Sequence, residues 1–176
     1  MTITVDDYRF EFPNAVEAFK FDEKDSLSPH YHGVDALKAV DVMVELPDEY
    51  LFIEIKTYDD LEDFRKEGAT YDDNEARKYL IRTLSRKYRE TFLYRFCEGK
   101  VDKRIYYVCL LNLDNALKSY CRKELAKRIP TGKPNPRRWH RMILDKTRLL
   151  ILDEEAWNRN ENILRWGTCE YVGERI

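Results

Sequence analysis

Residues 40–57 (VDVMVELPDEYLFIEIKT) alternate between apolar and polar positions: Val42, Val44 and Leu46 against Asp41, Met43 and Glu45, then Leu51, Ile53 and Ile55 against Phe52, Glu54 and Lys56. Successive side chains of a strand point to opposite faces, so each run has one apolar face and one face that carries charge. Pro47, Asp48, Glu49 and Tyr50 supply turn chemistry between them, and the two runs are predicted to form a hairpin. With Asp41 opposite Glu54, residues 43 and 45 fall opposite 52 and 50, leaving a loop of residues 46–49. Asp41, Glu54 and Lys56 then lie within cross-strand reach.

The period changes further along. From Asp73 to Phe96 the chain reads as a long helix, with Leu80, Leu84, Tyr88 and Phe92 in an apolar stripe and Lys78, Arg82, Arg86 and Arg89 on another face, which would either contact nucleic-acid phosphate near the acidic hairpin or simply be solvated. That helix would cross over to a strand at Arg104 to Leu113, and Arg148 to Leu152 is a further strand-like run. Asp153 to Trp157 has the look of a capped helix start. The predicted architecture is a single α/β domain over residues 1–176, a central mixed β-sheet flanked by helices. With 176 residues, 43% hydrophobic and 13% aromatic, the chain can build one core without disulfides. Cys97, Cys109, Cys121 and Cys169 are too widely spaced for a zinc ribbon or a redox pair, and are expected to be buried free thiols. No apolar run is long enough to span a bilayer, and no basic region followed by an apolar one opens the chain. The expectation is a cytoplasmic protein with no membrane partner.

Charge is unevenly distributed. The formal net charge is only −2, yet residues 1–63 hold 17 acidic and 5 basic side chains, and residues 77–141 hold 19 basic and 5 acidic. An acidic site beside a basic substrate track would show this asymmetry, as would helices with many solvated charges. Residues 122–141 contain 8 basic side chains against Glu124 alone, broken by Pro130, Gly132, Pro134 and Pro136. Lys133, Arg137, Arg138, Trp139 and Arg141 combine positive charge with a ring able to stack on a base, which makes the loop a candidate nucleic-acid contact. Trp139 would equally serve to anchor the loop to the core.

The acidic hairpin carries the sharper chemistry. Two carboxylates side by side repel and, among β-branched and aromatic neighbours, lose hydration, so they call for a cation between them. Oxygen ligands suit a hard divalent ion such as Mg2+, usually held by one or two carboxylates together with waters and substrate phosphate oxygens. Lys56 on the same face would orient an attacking water or stabilise charge developing on a phosphate. No phosphate-loop, nucleophile-elbow or H-E-x-x-H motif is present, which argues against ATP-driven and acyl-transfer chemistry.

Asp41 and Glu54-Ile55-Lys56 together resemble the PD-(D/E)xK, or restriction-endonuclease-like, nuclease superfamily. The resemblance covers the element order of roughly residues 14–112 and implies an αβββαβ core with C-terminal additions. It further implies Mg2+ or Mn2+ as cofactor, Asp41 and Glu54 as metal ligands, the Ile55 carbonyl as another, and Lys56 as the catalytic lysine. A helix before the hairpin often adds a glutamate, for which Glu17 is the best candidate and Glu11 the reserve. The literal Pro47-Asp48 falls in the expected turn and is set aside in favour of Asp41. Glu98-Gly99-Lys100 has the same E-x-K letters without the strand context. By the same resemblance the substrate is nucleic acid, DNA favoured over RNA, and the protein acts as a homodimer or beside a partner protein. The competing expectations are a binding module without catalysis and a charged sheet face that is merely solvated. His30-Tyr31-His32 has metal-compatible spacing but no further ligand close in sequence.

Overall fold

The computed structural model describes residues 1–34, 36–58, 61–69, 72–132, 138 and 141–173. Five strands form the central sheet in the order β3–β4–β5–β6–β7: Glu17–Lys20, Val42–Glu45, Glu49–Lys56, Arg104–Leu111 and Leu149–Leu152. The first two pairings are antiparallel, and β5–β6 and β6–β7 are parallel, so the sheet is mixed as predicted. Between β5 and β6 the chain runs through α1 (Leu61–Glu67) and α2 (Asp73–Cys97), and α3 (Asn115–Arg128) connects β6 towards β7. Aspartates cap α2, α3 and α4 (Glu154–Arg159): the carboxylate of Asp72 accepts the amides of Asn74 and Glu75 at α2, Asp114 that of Leu117 at α3, and Asp153 that of Ala156 at α4.

The hairpin has the expected register, with Val42 opposite Ile53, Met43 opposite Phe52 and Glu45 opposite Tyr50. The Leu46 amide donates to the Glu49 carbonyl, so pairing runs two positions further into the expected loop and leaves Pro47 and Asp48 exposed at the tip. Both faces of the sheet are covered. Met43, Tyr50 and Phe52 pack under Leu80, Ile81, Leu84 and Tyr88 of α2 and under Leu117, Cys121 and Leu125 of α3. Val42, Val44, Leu51, Ile53 and Ile55 pack on a second layer, which contains Phe10, Phe12, Trp157, Trp166 and Cys169. Burying each of these large side chains contributes about 1.5–3 kcal/mol before chain entropy is counted.

That second layer was not anticipated. It is a small antiparallel sheet of β1 (Thr2–Val5), β2 (Tyr8–Glu11) and β8 (Thr168–Tyr171), joined by α4 and α5 (Glu161–Leu164). Gly167 makes this joint: at φ +143° any Cβ there would lie 1.8 Å from the Glu11 carbonyl oxygen.

Two expectations need correction. No helix precedes the hairpin among the described residues; Glu17–Lys20 is instead the edge strand β3, with Phe19 buried towards α2. Of the four cysteines, all free, Cys97 is exposed at the end of α2 and only Cys109, Cys121 and Cys169 are buried. Among the described residues no helix is long and apolar enough to cross a membrane.

Candidate active site

The register that pairs Val42 with Ile53 places Asp41 at the entry to β4, next to Glu54 on β5. The Asp41 backbone is held from two sides. Its carbonyl accepts the Phe21 amide at 2.8 Å, and the preceding Val40 amide donates to Thr91 Oγ1 on α2 at 3.0 Å. Asp41 Oδ2 accepts the Ile55 amide at 2.7 Å, which locks its carboxylate against β5.

One turn before Thr91 on the same helix, Lys87 reaches down to the pair. Its Nζ lies 3.0 Å from Asp41 Oδ1 and 2.9 Å from Glu54 Oε1. The Glu54 side chain is 0% exposed, against 11% for Lys87 and 13% for Asp41. Lys87 meets Glu54 as an ion pair poorly aligned for a hydrogen bond, and Glu54 Oε2 has no hydrogen-bond partner at all. Burial, and then the Asp41 charge, push the Glu54 pKa well above its usual range, while Lys87 and Lys56 pull it back. For Lys87 burial alone would lower the pKa, but Glu54 and Asp41 more than offset it and the net shift is upward. The site therefore keeps its ammonium, and Glu54 is the member most ready to take a proton.

Lys56 points the same way along β5 but is drawn to α1. Its Nζ lies 2.7 Å from Glu67 Oε1, and Glu67 Oε2 accepts the Tyr58 hydroxyl. Burial disfavours the Lys56 ammonium, while Glu67 and Glu54 favour it, with a net upward shift. Asp6, at φ +50° in the β1–β2 turn, is a further neighbour. Although it is an exposed residue, desolvation and then the Asp41 charge raise its pKa, so a third carboxylate lies within electrostatic range.

The structure thus brings together Asp41, Glu54, Ile55 and Lys56, and adds Lys87, Glu67 and Asp6, which the sequence reading missed. Lys87 left a trace in the sequence: it sits three residues after Leu84 and four before Thr91, a charged residue at a buried stripe position. Other expected members lie elsewhere. Glu17, on β3, is opposite Glu45 of β4, four residues along the chain from the Phe21 whose amide donates to the Asp41 carbonyl, and its neighbour is His30 at 3.9 Å. His30 itself stacks on Phe19. Glu11 pairs with Thr168 in the small sheet.

Lys78, Arg82, Arg86 and Arg89 are exposed on α2. At about 100° per residue they lie roughly 100–180° around the helix axis from Lys87, on faces turned to solvent and away from the carboxylates. All four have local partners: Lys78 with Glu75, Arg82 over the Tyr79 ring, Arg86 with Glu90, and Arg89 with the Ser85 carbonyl. Arg138 is exposed in a turn. Arg141 borders a groove of about 270 Å³ with Phe96, Val101 and Met142, near the C-terminal end of α2 and the start of β6. That is about 14 Å along the helix from Lys87. Lys133, Arg137 and Trp139 lie outside the described residues.

The resemblance implies Mg2+ or Mn2+ at Asp41 and Glu54. Among the described residues no group of three or more His, Cys, Asp or Glu is gathered as for a complete protein cage. A single magnesium-like ion needs no such cage, and a buried carboxylate with one unpartnered oxygen beside a second carboxylate fits it, with water and phosphate oxygens completing the shell. Comparison with protein-family models, curated proteins and solved structures found no match to this chain.

Proposed function

We propose that the protein is a metal-dependent nuclease that hydrolyses phosphodiester bonds in nucleic acid, DNA favoured over RNA by analogy with proteins of similar motif. The observation that carries this is that Asp41 and the buried Glu54 share the Lys87 ammonium, with Glu54 Oε2 left without a hydrogen-bond partner. A buried carboxylate with an oxygen that lacks a hydrogen-bond partner costs stability and is characteristic of a site that serves a ligand. Supporting it, β3, β4 and β5 are followed by α1, α2 and then β6, the βββαβ element order of the core that the resemblance implies, within a mixed sheet. The leading helix of that core has no counterpart before β3 among the described residues.

In this mechanism Asp41 and Glu54 would hold the cation, with the Ile55 carbonyl as the further ligand that the resemblance implies. When bound, the ion supplies charge neutralisation at the phosphate and a water of lowered pKa. Lys56, oriented by Glu67, faces the attacked phosphate and stabilises its developing charge or positions the water. The walls of β-sheet and α2 exclude bulk solvent from Glu54, which strengthens each of these interactions.

A second reading is favoured by one observation: Lys87 already bridges both carboxylates, as it would in a binding module of the same fold without catalysis. Incubation of purified protein with linear, circular and single-stranded DNA and with RNA, in Mg2+, Mn2+ or EDTA, separates the two. Cleavage that requires the divalent ion supports the nuclease, and binding without cleavage in Mn2+ supports the module.

A further inference from the structure

Lys87 occupies the place between two carboxylates that the nuclease reading gives to a divalent ion. Its Nζ contacts one oxygen of each, Asp41 Oδ1 and Glu54 Oε1, and its aliphatic stem is packed in the row Leu80, Leu84, Lys87, Thr91 that buries α2 on the sheet. The seat is rigid: Thr91 and Ile55 fix the residues on either side of it by hydrogen bonds. A doubly charged ion shared by the same two carboxylates would lie within about 4 Å of this ammonium and repel it strongly in so dry a site.

We propose that Lys87 is the resident counter-ion of the carboxylate pair, a built-in competitor that holds the fold together without metal and is displaced from the pair when a divalent cation binds. This rests on the assignment of Asp41 and Glu54 as cation ligands and is independent of cleavage. Displacement is short: the lysine stem has four flexible bonds, and rotation of its outer ones moves the ammonium away while the stem stays packed. The consequence is a divalent-ion affinity set below what the two carboxylates alone would give, so that the site fills more readily when a phosphate substrate adds its own ligands.

The test is Mn2+ binding by calorimetry and thermal unfolding with Mn2+ or EDTA, without substrate, on the wild type and three variants. Lys87→Met keeps the stem and removes the competitor. It should lower Tm in EDTA, recover it in millimolar Mn2+, and bind Mn2+ roughly tenfold or more tightly than the wild type. Lys87→Arg should retain metal-independent stability, and Glu54→Gln combined with Lys87→Met should lose the Mn2+ response. A Lys87→Met protein that binds Mn2+ no more tightly than the wild type, or that stays unfolded in millimolar Mn2+, overturns the proposal. Absence of nuclease activity in the wild type would leave these binding results untouched and bear only on the proposed function.

Discussion

Glu49 and Glu54 lie five residues apart on the same strand, both buried, and the protein treats them in opposite ways. Glu49 is 3% exposed and fully matched: Trp166 Nε1 donates at 2.8 Å, an Arg165 Nη2 hydrogen bond reaches the other oxygen at 2.9 Å, and Arg104 lies at 3.4 Å. Burial works against its ionisation, but the Arg165 and Trp166 hydrogen bonds outweigh it and hold the carboxyl below its usual range. Glu54 has one ammonium, shared with Asp41, and an oxygen with no partner. Glu49 ties β5 to the C-terminal layer, so its partners are the ones a structural role requires. The imbalance at Glu54 is unfavourable for folding and is explained by a ligand.

Substitution separates the two most clearly by stability. Glu49→Gln should lower the unfolding free energy by about 2–4 kcal/mol, because it breaks a matched pair and weakens the acceptor of a buried indole, with the figure held down because Arg104 and Arg165 are half-exposed. Glu54→Gln, measured in EDTA, should change it by no more than about 1 kcal/mol, since the lost ion pair is offset by removal of a buried charge and Lys87 keeps Asp41. Urea unfolding checks both, and a larger loss at Glu54 than at Glu49 would reverse the assignment.

The dependence on pH should also differ in sign. Glu49 has a folded pKa below its ordinary 4.5, so its stabilisation is present above that value and is lost as pH falls through the folded pKa. Glu54 has a folded pKa above 4.5, so its contribution is complete below 4.5 and is lost as pH rises through the folded value. The stability difference between wild type and Glu49→Gln should therefore grow with rising pH, and that between wild type and Glu54→Gln should shrink. Denaturant unfolding in EDTA from acid to neutral pH reads both slopes, and slopes of the same sign would contradict the contrast.

The smallest effect is expected on the outer face of α2. Replacing Arg82 and Arg86 by Gln should alter metal-dependent cleavage less than about twofold at moderate salt, because they point away from Asp41 and Glu54. If they contact phosphate elsewhere, the slope of log affinity against log salt should fall by about one unit per contact. A large loss of cleavage with an unchanged slope would place them in the site after all.

The hairpin was legible in the sequence because strict alternation fixes both its faces and its register: a one-residue slip would turn every side chain to the wrong layer. That is why Asp41, Glu54 and Lys56 were found together from pattern alone. Glu17–Lys20 was harder, since four residues with one large apolar side chain, Phe19, satisfy a strand or a helix turn equally, and only pairing with β4 decides. The basic stripe of α2 was visible, but its direction depends on which face the sheet takes. Lys87 gives that direction, as a charged residue within the row Leu80, Leu84, Lys87 and Thr91 that faces the sheet. The N-terminal strands and β8 pair across nearly the whole chain, a contact that no local pattern encodes.

The most direct measurement is the rate of phosphodiester cleavage in Mn2+ by folded wild type and folded Glu54→Gln, assayed side by side at equal concentration with an EDTA control. If Glu54 is a cation ligand of a nuclease, the wild type cleaves only with the metal and the variant is slower by about 100-fold or more while still binding nucleic acid. Equal rates in the two proteins, or cleavage by the wild type undiminished in EDTA, would contradict it.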